Sequence, residues 1–307
     1  MDAETGTDST IGSAVGGVFM KTLVIGGTGT VGGRVLSGLI EKGVDVRALT
    51  HSPEKAKTFP QGVEAVVGDL TEPDSLSRAF AGAGAVFFVT PLAETETQQG
   101  LNAVEAARKA KTRKIVYSSV ALPKGSEHIP HFASKIPIEE AVRSSGADWT
   151  ILRPNSFFQN DYWYQEPITK HGIYPQPIGS LGMNRVDVRD IADAAVNSLL
   201  NPGHAGQTYL LHGPDAVTGE STAQTWSRHL GRDVRYAGDD LDAWEKQHLQ
   251  FLPAWLVPDL RIMYDYFQKN GFRPTAGDLE HEAKAVGHPP RRFDDFARET
   301  AATWKKG

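Results

Sequence analysis

The feature that most constrains this fold is a short strand that runs into a glycine-rich turn near the amino end. Residues 22–25 form an aliphatic run, and glycines follow at Gly26, Gly29 and Gly32. Gly26 allows a sharp turn, Gly29 leaves the backbone open to a diphosphate, and Gly32 lets the next helix pack closely on the strand. Since the N–H groups at the start of that helix attract an anion, the segment predicts a dinucleotide-binding turn.

Three further residues of this turn, Thr28, Thr30 and Val31, are expected to contact the dinucleotide. The Gly-x-x-Gly-x-x-Gly spacing has one residue more between its first two glycines than the usual dehydrogenase motif. A strand–helix turn without a ligand is the alternative interpretation. The strand before the glycines and the apolar residues at helical spacing after them favour the nucleotide site.

The composition excludes several classes of function. The chain has 307 residues, no cysteine and a formal net charge of −5. Disulfides, thiol nucleophiles and cysteine-bound metals are therefore excluded, and the charge gives no reason to expect nucleic-acid binding. No apolar stretch is long enough to span a membrane, and the acidic start is unlike a secretory signal. We expect a cytoplasmic protein in which residues 1–19 form a flexible N-terminal tail.

Strands and helices alternate along most of the chain, which predicts an α/β fold. We expect a doubly wound parallel sheet (Rossmann) with a smaller, mainly helical C-terminal lobe. Residues 20–155 are assigned to the NAD(P)-binding domain and 156–307 to substrate-lobe segments, with 187–213 returning to the Rossmann domain. The predicted strands are 22–25, 44–49, 63–67, 85–89, 114–118, 149–152 and 207–212; the predicted helices are the one after the glycine turn, 75–80, 98–109, 136–144 and 187–200.

Ligands of such sheets bind beyond the carboxyl ends of the strands, where the strand order reverses. Residues at those ends should therefore line one crevice. They are Thr28, Thr50, Asp69, Thr90, Ser118 and Asn155.

Several motifs of this chain occur in the order of a known family. They are Gly26-Gly-Thr-Gly-Thr-Val-Gly32, Gly68-Asp69-Leu70, His131-Phe-Ala-Ser-Lys135, Leu152-Arg-Pro-Asn-Ser-Phe-Phe-Gln-Asn160 and Val186-Asp-Val-Arg-Asp-Ile-Ala192. Over residues 20–304 the chain resembles the NmrA-like group of atypical short-chain dehydrogenases/reductases. The resemblance implies an NAD(P)-binding sheet with a variable substrate lobe. Members include quinone and azo-dye reductases, and also redox-sensing regulators that bind the nucleotide without turning it over.

The choice between NADP and NAD depends on the residues after the second strand. NAD enzymes commonly place Asp or Glu there, whereas a basic residue suits the 2′-phosphate of NADP. Here His51 follows the strand and Lys55 lies one turn later. This pattern favours NADP, with NAD as the alternative; His51 and Lys55 could equally be solvated loop residues. The resemblance implies that Asp69 faces the adenine.

The resemblance also indicates the residues of the reaction. Typical short-chain dehydrogenases use a Tyr-x-x-x-Lys pair, in which the lysine holds the nicotinamide ribose and the tyrosine passes a proton. Here Lys135 is kept, but His131 stands in the tyrosine position. On one helix the two side chains would share a face. We expect Lys135 to anchor the cofactor, His131 to donate a proton and Ser118 to orient the substrate. The alternative for His131 is a residue that only flanks the helix.

Quinone or azo reduction does not need the tyrosine, because hydride can pass directly to an electron-poor acceptor. A run of aromatic residues at 157–164 suits a flat acceptor beside the nicotinamide. Within it Phe158, Asn160 and Tyr162 are predicted to reach the substrate; ordinary packing is the alternative. The remaining residues expected at the cofactor are Leu70, Thr90, Pro91, Asn155 and Phe157.

Three functions are compatible with these residues. The first is an NAD(P)H-dependent oxidoreductase that transfers hydride to a quinone-like or conjugated carbonyl small molecule. The second is a non-catalytic NAD(P) sensor that binds a protein partner, and the third, disfavoured by the missing tyrosine, is a sugar-nucleotide epimerase or dehydratase. His128 and His131 have metal-like spacing without obvious further ligands, so we expect no metal. A homodimer is left open.

Overall fold

The structure, a computed structural model, describes residues 20–306, so the predicted tail at 1–19 lies outside the described residues. Its strands are β1 (Thr22–Ile25), β2 (Val46–Thr50), β3 (Glu64–Val67), β4 (Ala85–Val89), β5 (Lys114–Ser118), β6 (Asp148–Pro154), β7 (Ile173–Tyr174), β8 (Gln207–Leu211) and β9 (Arg235–Tyr236). Seven of these form one parallel sheet in the order β3-β2-β1-β4-β5-β6-β8, while β7 and β9 form a separate parallel pair. The predicted fold class is confirmed.

Helices cover both faces of the large sheet and also build most of the C-terminal part of the molecule. They are α1 (Thr30–Glu41), α2 (Pro53–Ala56), α3 (Ser77–Phe80), α4 (Glu96–Lys109), α5 (Pro130–Ala133), α6 (Ile136–Arg143), α7 (Val188–Leu200), α8 (Gly219–Leu230), α9 (Leu241–His248), α10 (Leu256–Asn270), α11 (Ala276–Val286) and α12 (Phe293–Trp304). Short 3₁₀-helices lie at Pro73–Leu76 and Phe158–Tyr164, and a π-helix lies at Pro167–His171.

The central strands are apolar on both faces because each face is covered. All four residues of β1 are buried. One face packs against α1, α7 and α11, and the other against α3, α4 and α6. Such two-sided burial explains why these strands read as continuous apolar runs rather than as alternating ones. The strand order reverses between β1 and β4, so the crevice beyond their carboxyl ends is the expected ligand position.

A second core, which we call the cap, lies beyond that crevice. It is built on α8, α9, α10, α12 and the β7–β9 pair. Its buried aromatic side chains include Trp226, Phe158, Phe293 and Phe296. The sequence predicted a helical lobe here, but it did not predict the two-stranded pair.

The structure distributes two segments differently from the predicted domain boundaries. Helix α11, predicted to lie in the substrate lobe, packs its Ala285 and Val286 into the core of the Rossmann sheet. Conversely, Ile129 and Phe132, predicted to lie in the Rossmann domain, pack into the cap core. The segment 187–213 supplies α7, which packs on α1, and β8, which pairs with β6.

Candidate active site

A cavity of about 400 Å³ lies beyond the carboxyl ends of β1, β2 and β4. It is bounded by the glycine turn on one side and by the loops after β2, β3 and β4 on the other. Most of the residues predicted to hold a dinucleotide line it, namely Gly26, Thr28, Gly29, Thr30, Val31, Gly32, His51, Asp69, Leu70, Thr90, Pro91 and Phe157. Strand-end residue Thr50 lines it as well.

The glycine turn leaves helix α1 with free N–H groups at its start. Gly26 has φ +86°, and its carbonyl accepts from the Gly29 N–H at 2.8 Å. A Cβ on Gly32 would come within 2.2 Å of the Gly26 carbonyl oxygen, so only glycine fits there. Gly29 caps α1 without a side-chain hydrogen bond, and the first turn contains no acidic residue. This backbone therefore fits a pyrophosphate, which would take the place of the missing cap.

The loop after β2 presents His51 to the first cavity but turns Lys55 away. Lys55 is exposed on α2, where its backbone N–H donates to Ser52 Oγ at 3.2 Å, and it does not line the cavity. Lys55 as a cofactor contact therefore stays a prediction, which the lining of the first cavity does not support. The nearby acid Glu54 is paired with Lys57 at 2.9 Å, also on the surface.

Asp69 orders the loop after β3. One carboxylate oxygen accepts from the backbone N–H and from the hydroxyl of Thr71, both at 2.8 Å. These hydrogen bonds hold the pKa of Asp69 below its ordinary value. The side chain is therefore an ionised acceptor at the wall of the first cavity.

A second cavity of about 290 Å³ adjoins the first and shares Val31, Val89, Thr90 and Phe157 with it. Polar groups from the sheet side form one wall: Ser118, Ser119, His131, Lys135, Asn155 and Asn160. The cap forms the opposite wall with apolar side chains, chiefly Leu252, Leu256, Leu260, Met263, Phe267 and Phe272. The predicted crevice is thus two connected cavities rather than one.

Lys135 lines the second cavity and is held by a buried carboxylate. Its Nζ is 2.5 Å from Glu96 Oε1, and the same oxygen accepts from Thr90 Oγ1 at 2.6 Å. Ser134 Oγ donates to the other oxygen of Glu96 at 2.8 Å. Sequence reasoning missed Glu96, whose only signal was an acid in the first turn of α4. The network fixes the lysine ammonium group in the wall of the second cavity, next to Thr90, which lines both cavities.

His131 is oriented by the cap. Its Nδ1 lies 2.6 Å from Asp259 Oδ1, and its backbone N–H donates to Asp259 Oδ2 at 3.1 Å. The helix expected to carry both His131 and Lys135 is broken: α5 ends at Ala133 and α6 begins at Ile136. The two side chains nevertheless line the same cavity.

Asn155 follows β6, and both the nitrogen and the oxygen of its side-chain amide are hydrogen-bonded. Its Nδ2 donates to the Asn184 carbonyl at 2.8 Å, and its Oδ1 accepts from the Ser156 backbone N–H at 2.7 Å. Ser118 ends β5 and is buried beside it in the cavity wall. These contacts make the sheet side of the second cavity a rigid polar surface.

Two predicted substrate residues lie outside the cavities. Phe158 is buried in the cap core, with its ring centroid 5.3 Å from that of Phe293. Tyr162 packs against Phe296 and Trp304 instead of lining either cavity. Because the segment is a 3₁₀-helix with three residues per turn, every third residue shares a face. The cavity face therefore carries Phe157, Asn160 and Trp163.

Two tyrosines close to the site are not suited to replace the missing one. Tyr117 is buried and stacked on Phe88 at 4.5 Å, its hydroxyl has no partner among the described residues, and burial raises its pKa far above the ordinary value. Tyr164 lines the second cavity, and burial raises its pKa to about 12. Both hydroxyls stay protonated at neutral pH.

Within residues 20–306, one group has the spacing of a metal site, formed by Asp190, Asp193 and His288. Arg291 occupies it, with a guanidinium nitrogen bonded to Asp190 and 2.8 Å from Asp193. The carboxylates thus have an internal cation. Over the same residues, no helix has the length and apolar composition that crossing a bilayer requires.

This geometry defines a class of protein. A parallel sheet with a glycine turn at its switch point and a lysine in the adjoining cavity is typical of the Rossmann-fold short-chain dehydrogenases/reductases, here in an atypical form with histidine in the tyrosine position. The NmrA-like family matches residues 20–297, and the chain belongs to that family. The resemblance seen in the sequence is confirmed.

Relatives of known name cover nearly the whole chain. An NAD(P)H azoreductase of Xenophilus azovorans is 34% identical over 292 residues, covering 92% of this chain and 98% of that protein. A (4-alkanoyl-5-oxo-2,5-dihydrofuran-3-yl)methyl phosphate reductase of Streptomyces griseus is 31% identical, covering 91% and 97% respectively. The crystal structure of a Citrobacter sp. triphenylmethane reductase complexed with NADP(H) has a TM-score of 0.80 at 26% identity, covering 92% of this chain and 99% of that one.

Proposed function

We propose that this protein is an NAD(P)H-dependent reductase that transfers hydride to a flat, conjugated small molecule such as a quinone or an azo compound. The observation that carries the proposal is that two cavities share a wall: the dinucleotide cradle, which is the cavity at the glycine turn 26–32, and a largely apolar cavity lined by Lys135. The names of the azoreductase and triphenylmethane reductase relatives support the same chemistry. NADPH, when bound, would supply a hydride, which carries both electrons of the reduction.

NADP(H) is the proposed cofactor in preference to NAD(H). The loop after β2 presents His51 to the first cavity, and the acid of that loop, Glu54, is paired on the surface with Lys57. The carboxylate of Asp69, from the loop after β3, already accepts from Thr71. A 2′-phosphate next to β2 therefore meets a group that can donate to it, whereas a ribose 2′-hydroxyl lacks the usual acidic acceptor at the end of that strand. The NADP(H) complex of the Citrobacter reductase agrees with this preference.

Each residue of the site then has a physical role. The α1 N–H groups bind the pyrophosphate, and Lys135 holds the nicotinamide ribose by its ammonium group. Asn155 and Phe157 form the wall beside the nicotinamide, and Asn160 lies on the acceptor side. The apolar residues of α10 exclude water, which favours direct hydride transfer to a dry, oriented acceptor.

The charges of the second cavity restrict the acceptor further. Its two basic side chains among the described residues, Lys135 and His131, are both paired with carboxylates, Glu96 and Asp259 respectively. Neither is free to pair with a phosphate or carboxylate on the substrate. The acceptor is therefore neutral and apolar, unlike the phosphate ester in the name of the Streptomyces relative.

A non-catalytic nucleotide sensor is the second candidate, because the tyrosine of the family pair is replaced by His131. Such a sensor would bind NADPH in the same cradle without consuming it. A protein partner or a homodimer would then transmit the signal.

One assay separates the two functions. Purified protein is mixed with NADPH and a panel of a quinone, an azo dye and a triphenylmethane dye, and the loss of nicotinamide absorbance is followed. Calorimetry with NADPH and NADH measures binding on the same samples. Steady NADPH consumption supports the reductase. Tight binding without consumption of NADPH by any acceptor favours the sensor, and no binding of either nucleotide contradicts both.

A further inference from the structure

We propose that Asp259, on the cap helix α10, is a positioning residue that makes His131 the proton donor to the reduced acceptor. The proposal rests on the reductase function above. It assigns a role in the reaction to a residue 128 positions away from the histidine it contacts.

The contact is bidentate and buried. One oxygen of Asp259 lies 2.6 Å from His131 Nδ1, and the other accepts from the His131 backbone N–H at 3.1 Å. The side chains of His131 and Asp259 are only 12% and 6% exposed. Two hydrogen bonds to one residue fix both the backbone at the start of α5 and the rotation of the imidazole ring. Phe132 packs against that ring at 4.7 Å, which restricts it further.

This geometry decides which ring nitrogen serves the substrate. Because the carboxylate accepts from Nδ1–H, the proton of the neutral ring stays on Nδ1. Nε2 has no hydrogen-bond partner among residues 20–306, and His131 lines the second cavity. Nε2 is therefore the nitrogen that carries the transferable proton when the ring is cationic. The carboxylate stabilises that cation, as in other His–Asp pairs.

Other ionisable groups near the ring are accounted for. In the same wall of the cavity Lys135 is paired with Glu96, so the two charges largely cancel at His131. On the same loop, His128 is exposed, and its Nδ1 lies 2.8 Å from the Gly125 carbonyl. On α10, Arg261 is directed to Asp242 and Glu245. Asp259 is thus the carboxylate that faces the ring from the cap, and no described cation other than His131 is paired with it.

The reaction balances with these groups. The acceptor gains a hydride from NADPH and one proton from Nε2 of the imidazolium. The Nε2–H bond breaks as an O–H or N–H bond forms on the acceptor, and NADPH becomes NADP⁺. The imidazole then regains a proton from solvent before the next turnover.

The kinetic test uses D259N, H131Q and the double variant. For D259N we expect a fall in kcat of about tenfold to a hundredfold at neutral pH, less than the roughly hundredfold to ten-thousandfold contribution of a general acid, because the imidazole itself remains. The KM for the acceptor and the Kd for NADPH should change by less than about twofold, because Asp259 does not line either cavity. If Asp259 acts through His131, D259N adds no further loss in the H131Q background.

A second measurement does not depend on turnover. The ring of His131 is titrated by NMR in the nucleotide-free protein, with H131Q used to assign its signals. In D259N the midpoint of this titration should move to lower pH by about one unit, because the cation has lost its carboxylate. The kcat profile should move in the same direction, so that activity recovers partly as the pH falls. D259E keeps the charge and should restore both readouts in part.

The matched control is D265N on the same helix, since Asp265 is paired on the surface with Lys269 at 2.7 Å. It should leave both the titration and the kcat profile unchanged. A wild-type pH profile in D259N, or additive losses in the double variant, would overturn the proposal. If the wild-type protein reduces no acceptor, the reductase function fails instead. An unmoved NMR midpoint in D259N then rejects the pairing independently.

Discussion

Lys135 and Glu96 form a buried ion pair, with 2.5 Å between Nζ and Oε1 and with the Glu96 side chain only 1% exposed. The pair joins the loop after α5 to the first turn of α4, and Thr90 completes it from the end of β4. It therefore has two effects that mutation can separate. It compensates a buried carboxylate, and it holds an ammonium group beside the proposed nicotinamide ribose.

The first prediction concerns this pair. K135A leaves Glu96 buried without a cation, so we expect the free energy of unfolding to fall by about 3–5 kcal/mol. The variant E96Q/K135A removes the charge as well and should recover most of that stability. Nucleotide affinity should stay at least about tenfold weaker in both variants, because the ribose contact is lost. Urea unfolding and calorimetry with NADPH measure the two quantities. A double variant that binds NADPH normally would remove Lys135 from the binding site.

The second prediction concerns the glycine turn. In G32A the new methyl group would lie within 2.2 Å of the Gly26 carbonyl oxygen, and backbone cannot give way cheaply there. We expect NADPH affinity to fall by more than about tenfold, because the backbone of the glycine turn must move apart to make room for the methyl group. The control is G277A in α11, where the nearest atom to the added Cβ is 3.8 Å away. That change should leave binding intact and stabilise the helix by about 0.5–1 kcal/mol. Unchanged calorimetry for G32A would contradict the assignment of the cradle.

The third prediction concerns the choice of nucleotide. H51E places a carboxylate at the end of β2, where it would repel a 2′-phosphate and accept from a ribose 2′-hydroxyl. The ratio of the Kd for NADPH to that for NADH should rise by at least about tenfold. K55E is the matched control, because Lys55 is exposed and does not line the cavity. It should change that ratio by less than about twofold. An equal effect of both substitutions would mean that only long-range charge matters.

The sequence could predict the sheet and the glycine turn because both are encoded locally. β1 is a run of four buried residues, Gly26 has a φ of +86°, and Gly32 lacks room for a Cβ because of the Gly26 carbonyl six residues earlier. The family motifs likewise pointed to Lys135 and His131, both of which line the second cavity.

The partners of those residues could not be predicted, because they depend on tertiary packing. Asp259 reaches His131 from α10 of the cap, and Glu96 reaches Lys135 from α4, with no spacing rule to connect either pair. Phe158 was misassigned for a local reason. A 3₁₀-helix completes a turn every three residues. The sequence alone did not show which residues of the aromatic run would share the face directed at the cavity.

The last prediction concerns pH and stability, and it depends on the carboxyl end of β8. His212 is buried with both ring nitrogens unpartnered among the described residues, and burial lowers its pKa to about 4. Its backbone N–H donates to Glu282 Oε1 at 2.8 Å, and burial raises the pKa of Glu282 to about 9. Each group is therefore neutral in the folded protein near pH 7 and charged, in part or fully, in the unfolded chain.

The signs of the two effects are opposite. Below about pH 6.5 His212 is protonated in the unfolded chain but stays neutral in the folded protein. Its contribution to the free energy of unfolding therefore falls as the pH drops towards 4. Above about pH 4.5 the unfolded glutamate releases a proton that Glu282 keeps, so stability falls as the pH rises towards 9. Each slope is about 1.4 kcal/mol per pH unit where the full proton difference applies. Between pH 6.5 and 9 the glutamate effect acts almost alone.

Urea midpoints across this pH range test the two groups separately. E282Q keeps an acceptor for the His212 N–H and should flatten the alkaline decline, while H212F should flatten the acid decline and leave the alkaline one. H128Q is the control, because His128 is exposed on the loop before α5 and its ring contacts the Gly125 carbonyl rather than either member of this pair. An alkaline decline of unchanged slope in E282Q would show that Glu282 is ionised in the folded protein. In that case the unpartnered Oε2 of Glu282 would have to be solvated, contrary to its complete burial.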